Sequence, residues 1–282
     1  MKYALMAATA LLAGSAIAGS SAAQAQAQED WTGFSIGVVG GSLMTKDSDG
    51  ERLVFDRDFD GAFDDPVVTV AGADAFSPGF CGDAANGPTA AAGCDDDKHG
   101  AEAALRGGYD MQFGPFVVGA IAEISTSTAE DSVSGFSTTP ASYTFKRNLQ
   151  GVAAARLRAG YAYGPALLYA TGGYARGRID NRFTTSNMTN GFTTTSDDET
   201  DSDGWQAGGG VEYRLARNLS VVGEYIYTSL DVDDPFVVRV GRGGAAATNP
   251  FILPPNTTGT DITRTSDKFR VHSLRIGMAY RF

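Results

Sequence analysis

The stretch HSLRIGMAYRF, His272 to Phe282, alternates apolar and polar residues with a period of two. Successive side chains of a β-strand point to opposite faces of the sheet. One face of this segment therefore carries the apolar residues Leu274, Ile276, Met278, Tyr280 and Phe282. The other face carries Ser273, Arg275, Gly277 and Arg281, so the pattern predicts a strand that separates an apolar from a polar environment.

The same alternation recurs along the chain in segments of roughly ten residues. It is clearest in EAALRGGYDM (102–111), FVVGAIAEI (116–124), GVAAARLRAGYAY (151–163), GWQAGGGVEYRL (204–215) and LSVVGEYIYTS (219–229). In each segment aliphatic, small and aromatic residues share one face, and the charged residues lie on the other. About eight such segments, each able to cross about 25 Å of apolar band when tilted, predict eight transmembrane strands.

A soluble sandwich of two sheets would show the same alternation, so the choice depends on features at the strand ends. Tight turns at FGPF (113–116), YGPA (163–166) and ARNL (216–219) alternate with long polar loops. This asymmetry is typical of barrels with short periplasmic turns and long external loops. Aromatic residues collect near the segment ends, where membrane interfaces favour them, and no apolar run of about 18 residues predicts a membrane helix after the leader. The sequence therefore predicts an all-β fold, an eight-stranded antiparallel up-and-down transmembrane β-barrel with long extracellular loops.

The chain is predicted to be exported and to form one domain. Residues 1–25 contain a lysine, an apolar stretch and small residues, which is the pattern of a cleaved signal peptide. Residues 26–282 are then the barrel, with a long first loop from about residue 45 to residue 98. Export permits a disulfide between the two cysteines, Cys81 and Cys94, and the alternative is a pair of free thiols in a mobile loop.

Three stretches of the sequence resemble a known family. WTGFSIGVVGG (31–41), the hairpin GWQAGGGVEYRLARNLSVVGEYIYTSL (204–230) and the terminal LRIGMAYRF are similar to the small eight-stranded outer-membrane proteins of Gram-negative bacteria. The nearest likeness is to alphaproteobacterial opacity-like surface antigens and porin-family barrels, which share the architecture of the OmpA membrane domain. The resemblance implies a surface-exposed structural or adhesive protein in the cell outer membrane. It also implies insertion by the barrel assembly machinery, which reads the last strand with Tyr280 and Phe282.

The predicted inner face of the barrel is charged. A barrel of eight strands is just wide enough for its inward side chains to fill it. We therefore expect opposite charges to pair across the lumen and close it, in a network of Glu102, Arg106, Glu123, Arg156, Arg158, Glu212, Glu224 and Arg275, with Asp110 and Arg214 on the same face. The alternative is a narrow path for ions or small solutes.

The stretch FDRDFDGAFDD (55–65) in the first loop matches the start of a calcium-binding loop. The predicted ligands are Asp56, Asp58, Asp60, the carbonyl of Ala62 and Asp64. The twelfth position is Val67, where an EF-hand has a bidentate glutamate, and the flanking RLVF and VVTV predict a hairpin rather than two helices. A weak Ca²⁺ site on a hairpin tip is the prediction, and a hydrated acidic tip is the alternative.

The remaining observations exclude some functions and suggest others. A net charge of −11 argues against a nucleic-acid partner, and the two histidines, His99 and His272, offer no arrangement for enzymatic catalysis. Acidic clusters in the external loops (47–51, 94–98 and 196–203) favour cations shared with outer-membrane lipid and lipopolysaccharide. The fourth loop, about 232–267, is expected to be mobile and to offer Ile252 and Leu253 to a surface partner that the sequence does not identify. The predicted function is a structural and surface-interaction protein, antigen-like or adhesin-like, and the alternative is a narrow porin-like channel.

Overall fold

The computed structural model describes residues 30–45, 50–95 and 99–282. The predicted signal peptide lies outside these residues, as do most of the acidic cluster at 47–51 and part of the cluster at 94–98. None of the helices within the described residues is long and apolar enough to cross a membrane.

Almost all of the regular structure in the described part of the chain is β-strand. The strands are β1 (Gly33–Thr45), β2 (Leu53–Asp56), β3 (Gly79–Cys81), β4 (Ala84–Ala85), β5 (Cys94–Asp95), β6 (Gly100–Phe113), β7 (Phe116–Ser137), β8 (Ala141–Tyr163), β9 (Ala166–Thr185), β10 (Gly191–Thr194), β11 (Glu199–Ala216), β12 (Leu219–Asp231), β13 (Val238–Gly241), β14 (Gly259–Arg264) and β15 (Lys268–Arg281). Two short 3₁₀ turns, Ala90–Ala92 and Pro250–Ile252, lie in the first and fourth loops.

Eight of these strands close into a barrel. Each is antiparallel to its neighbours, in the order β1, β6, β7, β8, β9, β11, β12 and β15, and β15 pairs back onto β1. The tight turns predicted at Gly114 and Gly164 are present, and both glycines adopt positive φ angles of 60° and 56°. Because the ring is closed, no barrel strand leaves an unpaired edge. The predicted eight-stranded fold is confirmed.

The outer face of the barrel is apolar, as the alternation predicts. Leu157 and Ile276 are 72% and 69% exposed, respectively, which would be costly in water for a whole ring of such residues. Aromatic contacts mark both ends of this band, with Phe34 against Tyr109 and Phe116 against Tyr161 at the short-turn end. At the other end Trp205 contacts Tyr227, which in turn contacts His272. The apolar band between two aromatic levels is the surface of a membrane-spanning barrel.

The strands on the long-loop side extend beyond this band and support an external cap. β7 and β8 contain 22 and 23 residues, about twice the length needed to cross a membrane. Four strands of the loops form a separate antiparallel sheet in the order β10, β13, β14 and β2. Its apolar side chains join those of the extended hairpin in a core that includes Leu53, Phe76, Val133, Tyr143, Phe145, Phe236, Val240, Phe251 and Ile262.

Three expectations for the loops are wrong. RLVF and VVTV do not form a hairpin, because β2 pairs with β14 and residue 68 makes only an isolated bridge to Asp74. The fourth loop is not simply a mobile connection, because it supplies β13 and β14 to the cap. Ile252 is buried in that cap rather than presented to a partner. In each case long-range pairing with another loop overrides what the local sequence suggests.

Candidate functional site

The lumen contains two clusters of buried ion pairs. In the cluster nearer the short turns, Arg158 binds Asp110 and lies 2.8 Å from Glu212. Arg281 lies 2.9 Å from Asp110, and the hydroxyl of Ser220 donates to Glu212 at 2.6 Å. All of these groups lie on strand positions that face inward. The alternation of side chains therefore places groups from five strands at one level of the lumen.

The second cluster lies one layer further from the short turns and centres on Arg275. Its guanidinium makes two contacts with Glu102, at 2.7 and 2.8 Å, and a third with Glu123 at 2.5 Å. Arg156 also binds Glu123, at 2.8 Å. Glu224 accepts from Arg106 at 3.2 Å and from the hydroxyl of Tyr169 at 2.6 Å.

The structure brings all eight predicted lumen residues into these clusters. Asp110 joins them, and so do Arg281 and Tyr169, which were not part of the predicted network. Arg281 has the same inward parity as Arg275, so the alternation of the last strand predicts its position, whereas Tyr169 lies on β9, which is not among the segments quoted from the sequence. Arg214 does not join them: its guanidinium stacks on the Trp31 ring, 4.3 Å from the centroid. The pairing is balanced, with five carboxylates and five guanidiniums across the two clusters.

Apolar layers close the barrel on both sides of the charges. Trp31 is fully buried at the short-turn end, and the Arg281 guanidinium donates to its carbonyl at 2.6 Å. At the other end lies a layer that includes Leu43, Leu149, Ile179, Leu230, Phe269 and Val271. A cavity between Arg106, Arg158 and Glu212 has a volume of about 10 Å³, enough for a single water molecule. Ions entering the lumen would have to cross an apolar layer and displace paired charges.

A third charged cluster lies at the junction between barrel and cap. Arg264 contacts Glu51 at 2.5 Å and Asp131 at 2.7 Å, and all three residues are buried. Burial raises the pKa of the Asp131 carboxyl above its usual value, although Arg264 opposes this shift. Arg147 is buried beside them and donates to the Ser266 carbonyl at 2.8 Å. Burial lowers the pKa of Arg147 to about 9, and the nearby positive charge of Arg264 adds to the effect.

The aspartate loop, residues 55–65, is held in shape by hydrogen bonds from its own backbone amides. Carboxylate oxygens of Asp56, Asp58 and Asp60 lie within 4.8 Å of one another, so these three residues form a group that could hold a metal ion. Asp56 accepts from the amides of Phe59 and Gly61, at 2.7 and 2.9 Å. Gly61 has a positive φ of 90°, which allows the tight turn that brings the carboxylates together. Asp64 is not part of this group.

The predicted disulfide between Cys81 and Cys94 is present, with the Cα atoms 6.7 Å apart. It holds a segment that packs on the outside of the extended β7–β8 hairpin. β3 pairs with β7, and Ser134 of β7 donates its hydroxyl to the Asp83 carbonyl at 2.7 Å. The disulfide therefore fastens the first loop onto the wall of the cap.

The two histidines lie outside the charged clusters of the lumen and outside the aspartate group. His272 is on the outer face of β15, where its Nδ1 lies 2.6 Å from the hydroxyl of Tyr225. His99 is exposed at the start of β6. Neither lines the lumen or joins the aspartate group.

A closed eight-stranded barrel with an apolar outer band and a salt-bridged interior defines a small outer-membrane β-barrel protein. The comparison with family models agrees: the chain belongs to the family described as the outer membrane protein beta-barrel domain, whose model matches residues 13–282. The protein is therefore a protein of the cell outer membrane.

The individual proteins that this chain resembles share only a low sequence identity with it. The 31 kDa outer-membrane immunogenic proteins of Brucella melitensis and Brucella suis are 28% identical over an alignment of 134 residues, and the match covers 45% of this chain. The match spans 43% of each of those relatives. Among solved structures, the outer membrane protein OprG from Pseudomonas aeruginosa is 12% identical with a TM-score of 0.46, over 90% of this chain and 99% of OprG.

Proposed function

We propose that this protein is a structural and surface-interaction protein, antigen-like or adhesin-like. Its barrel anchors the chain in the outer membrane, and its external cap is the surface that contacts other molecules. The observation that carries the proposal is the contrast between the two parts. The lumen is filled by paired charges between apolar layers, whereas the external loops build an ordered sheet with its own core. The immunogenic character named in the Brucella relatives supports a surface-exposed role.

The experiment that tests the anchor role is conductance of the purified protein in planar lipid bilayers. We expect no stable unitary steps, because Arg275 and its partners occupy the lumen and an apolar layer lies above them. A wide porin reconstituted in the same way serves as the positive control. Large and stable steps would favour the alternative function, a narrow porin-like channel, and would contradict the proposal.

The proposal includes a weak calcium site in the aspartate loop. The group Asp56, Asp58 and Asp60 offers hard oxygen ligands, but Val67 supplies no bidentate carboxylate. We expect a dissociation constant of about 10⁻⁴ to 10⁻³ M, the range of extracellular modules. Calorimetric titration of the folded protein in detergent should give saturable heat that disappears in the double variant Asp58→Ala/Asp60→Ala. The double variant Asp197→Ala/Asp198→Ala, which removes the same charge from another loop, should retain it; equal loss in both would indicate nonspecific attraction.

Outer-membrane lipid and lipopolysaccharide are the proposed lipid partners. Beyond the aromatic level at the long-loop end of the barrel, the outward face of β9 and β11 carries two sets of ion pairs. Arg176 pairs with Asp201 and Asp203, and Arg178 pairs with Glu199. These exposed groups lie where phosphates and their bridging cations are found, and guanidiniums bind phosphate well. Chelation of divalent cations in outer-membrane vesicles should therefore increase protease cleavage of the loops.

Insertion by the barrel assembly machinery is part of the same proposal. Tyr280 and Phe282 point outward from the last strand and their rings contact each other edge to face. The Phe282 amide also donates to the Phe34 carbonyl at 2.9 Å, where the barrel closes. Removal of Phe282 should lower the amount of heat-modifiable barrel in cell envelopes more than Phe113→Ala does.

A further inference from the structure

A cleft of about 450 Å³ opens at the end of the cap furthest from the short turns. Three segments surround it: the β7–β8 turn at Ser137–Ala141, residues 186–190 after β9, and residues 245–251 of the fourth loop. Phe76 of the first loop, Tyr143 and Phe251 form its apolar floor. The volume is within the range of about 300 to 1,000 Å³ found for small-molecule sites.

Hydrogen bonds between the segments fix the shape of the cleft. Asn187 donates to the Tyr143 hydroxyl and to the Asn190 side chain, both at 2.9 Å. Asn190 in turn donates to the Gly241 carbonyl at 2.9 Å and exchanges hydrogen bonds with Asn249. On the opposite side, the Thr138 amide donates to the Ala75 carbonyl at 2.8 Å. A site held in this way loses little conformational entropy when a ligand enters.

The chemistry of the walls is unusual for this protein. The chain has 33 acidic residues and a net charge of −11, yet the described residues that line the cleft include no charged side chain. Hydroxyls of Thr138, Ser186, Thr189 and Thr248 surround the opening, and Met188 on the rim is 92% exposed. Hydroxyl and amide groups both donate and accept hydrogen bonds, while the rings and the thioether offer apolar contact.

We propose that this cleft binds a neutral saccharide. Sugar hydroxyls pair with groups that donate and accept, and the C–H faces of a sugar ring pack on apolar side chains such as Phe251 and Met188. A phosphorylated, sulfated or carboxylated ligand would need a cationic partner, which the walls do not provide. A purely apolar ligand would cover wall hydroxyls such as those of Thr138, Thr189 and Thr248 without offering them a hydrogen bond. The inference rests on the proposed surface-interaction function and names the ligand class of that surface.

The test is binding of the folded, detergent-solubilised full-length protein to an array of glycans that contains neutral, sulfated and sialylated members. A neutral glycan that binds is then titrated in solution by calorimetry. The variant Thr248→Trp fills the cleft from an exposed position, and Thr257→Trp makes the same change at an exposed position of the same loop outside the cleft. Heat-dependent gel mobility verifies that both variants are folded.

We expect saturable binding of a neutral glycan, a loss of at least tenfold in affinity with Thr248→Trp, and unchanged affinity with Thr257→Trp. The proposal is overturned if only charged glycans bind, if no glycan binds, or if both variants bind as the wild type does. None of these results affects the anchor role, which the conductance measurement tests separately.

Discussion

Replacement of Arg275 by methionine is expected to lower the free energy of unfolding by about 3 to 5 kcal/mol. Arg275 is the partner of both Glu102 and Glu123, and all three side chains are buried in the lumen. Methionine fills a similar space, so the loss does not come from a cavity. It comes from leaving Glu102 without its cation and Glu123 with Arg156 alone. The measurement is urea unfolding in detergent micelles, followed by tryptophan fluorescence.

Two further variants separate charge from other causes. Arg178→Met removes an exposed guanidinium from the outer face, where the pair with Glu199 is in contact with solvent. Its effect should be much smaller than that of Arg275→Met, because solvent screens an exposed pair. The double variant Arg275→Met/Glu102→Gln should recover part of the loss, because a neutral amide then replaces the carboxylate that has lost its cation. If Arg275→Met and Arg178→Met have equal effects, the lumen pairs do not contribute to stability in the way we infer.

Replacement of Arg264 by methionine should destabilise the cap by a similar amount, about 3 to 5 kcal/mol. This residue is the cation for Glu51 and Asp131, which are buried at the junction between barrel and cap. Hydrogen exchange of the β2 and β14 amides is the direct measurement, because these two strands pair through Leu53 and Arg264. We expect their protection to fall while that of the barrel strands is kept.

The matched control is Arg147→Met, in the same cluster. Among the described residues Arg147 donates its hydrogen bond to the Ser266 carbonyl and makes no direct ion pair with Glu51 or Asp131, so Arg147→Met should cost less than Arg264→Met. Equal losses in the two variants would show that Arg147 shares the pairing with the carboxylates.

The loss of stability caused by Arg264→Met should also depend on pH. Burial raises the pKa of Asp131, so the folded state takes up a proton at a pH where the unfolded state remains charged. Stability therefore rises as the pH falls through the folded-state pKa, and the loss of stability caused by Arg264→Met should shrink as the pH is lowered from neutral. A deficit that grows on acidification would contradict this account.

The sequence by itself determined the barrel and the composition of its lumen. Strand alternation is local information: the parity of Arg275 within LRIGMAYRF already places it on the inner face, opposite Leu274 and Ile276. Eight segments of this kind, with tight turns at Gly114 and Gly164, leave a closed antiparallel ring as the arrangement in which every strand is paired. The cysteine pair followed from export and from there being no third cysteine.

Tertiary structure alone decided the cap and the way charges are shared. VVTV has the composition of a strand, yet β2 pairs instead with β14, more than 200 residues away in the chain. Ile252 lies in a loop rich in glycine and proline, yet it is buried, and its neighbour Phe251 belongs to a core to which separate loops contribute. Which carboxylate meets which guanidinium depends on register and side-chain reach across the lumen, and these are set by the closure of the ring and not by any one strand. The same holds for the neutral cleft, whose walls come from segments that are distant in sequence and meet only when the cap folds.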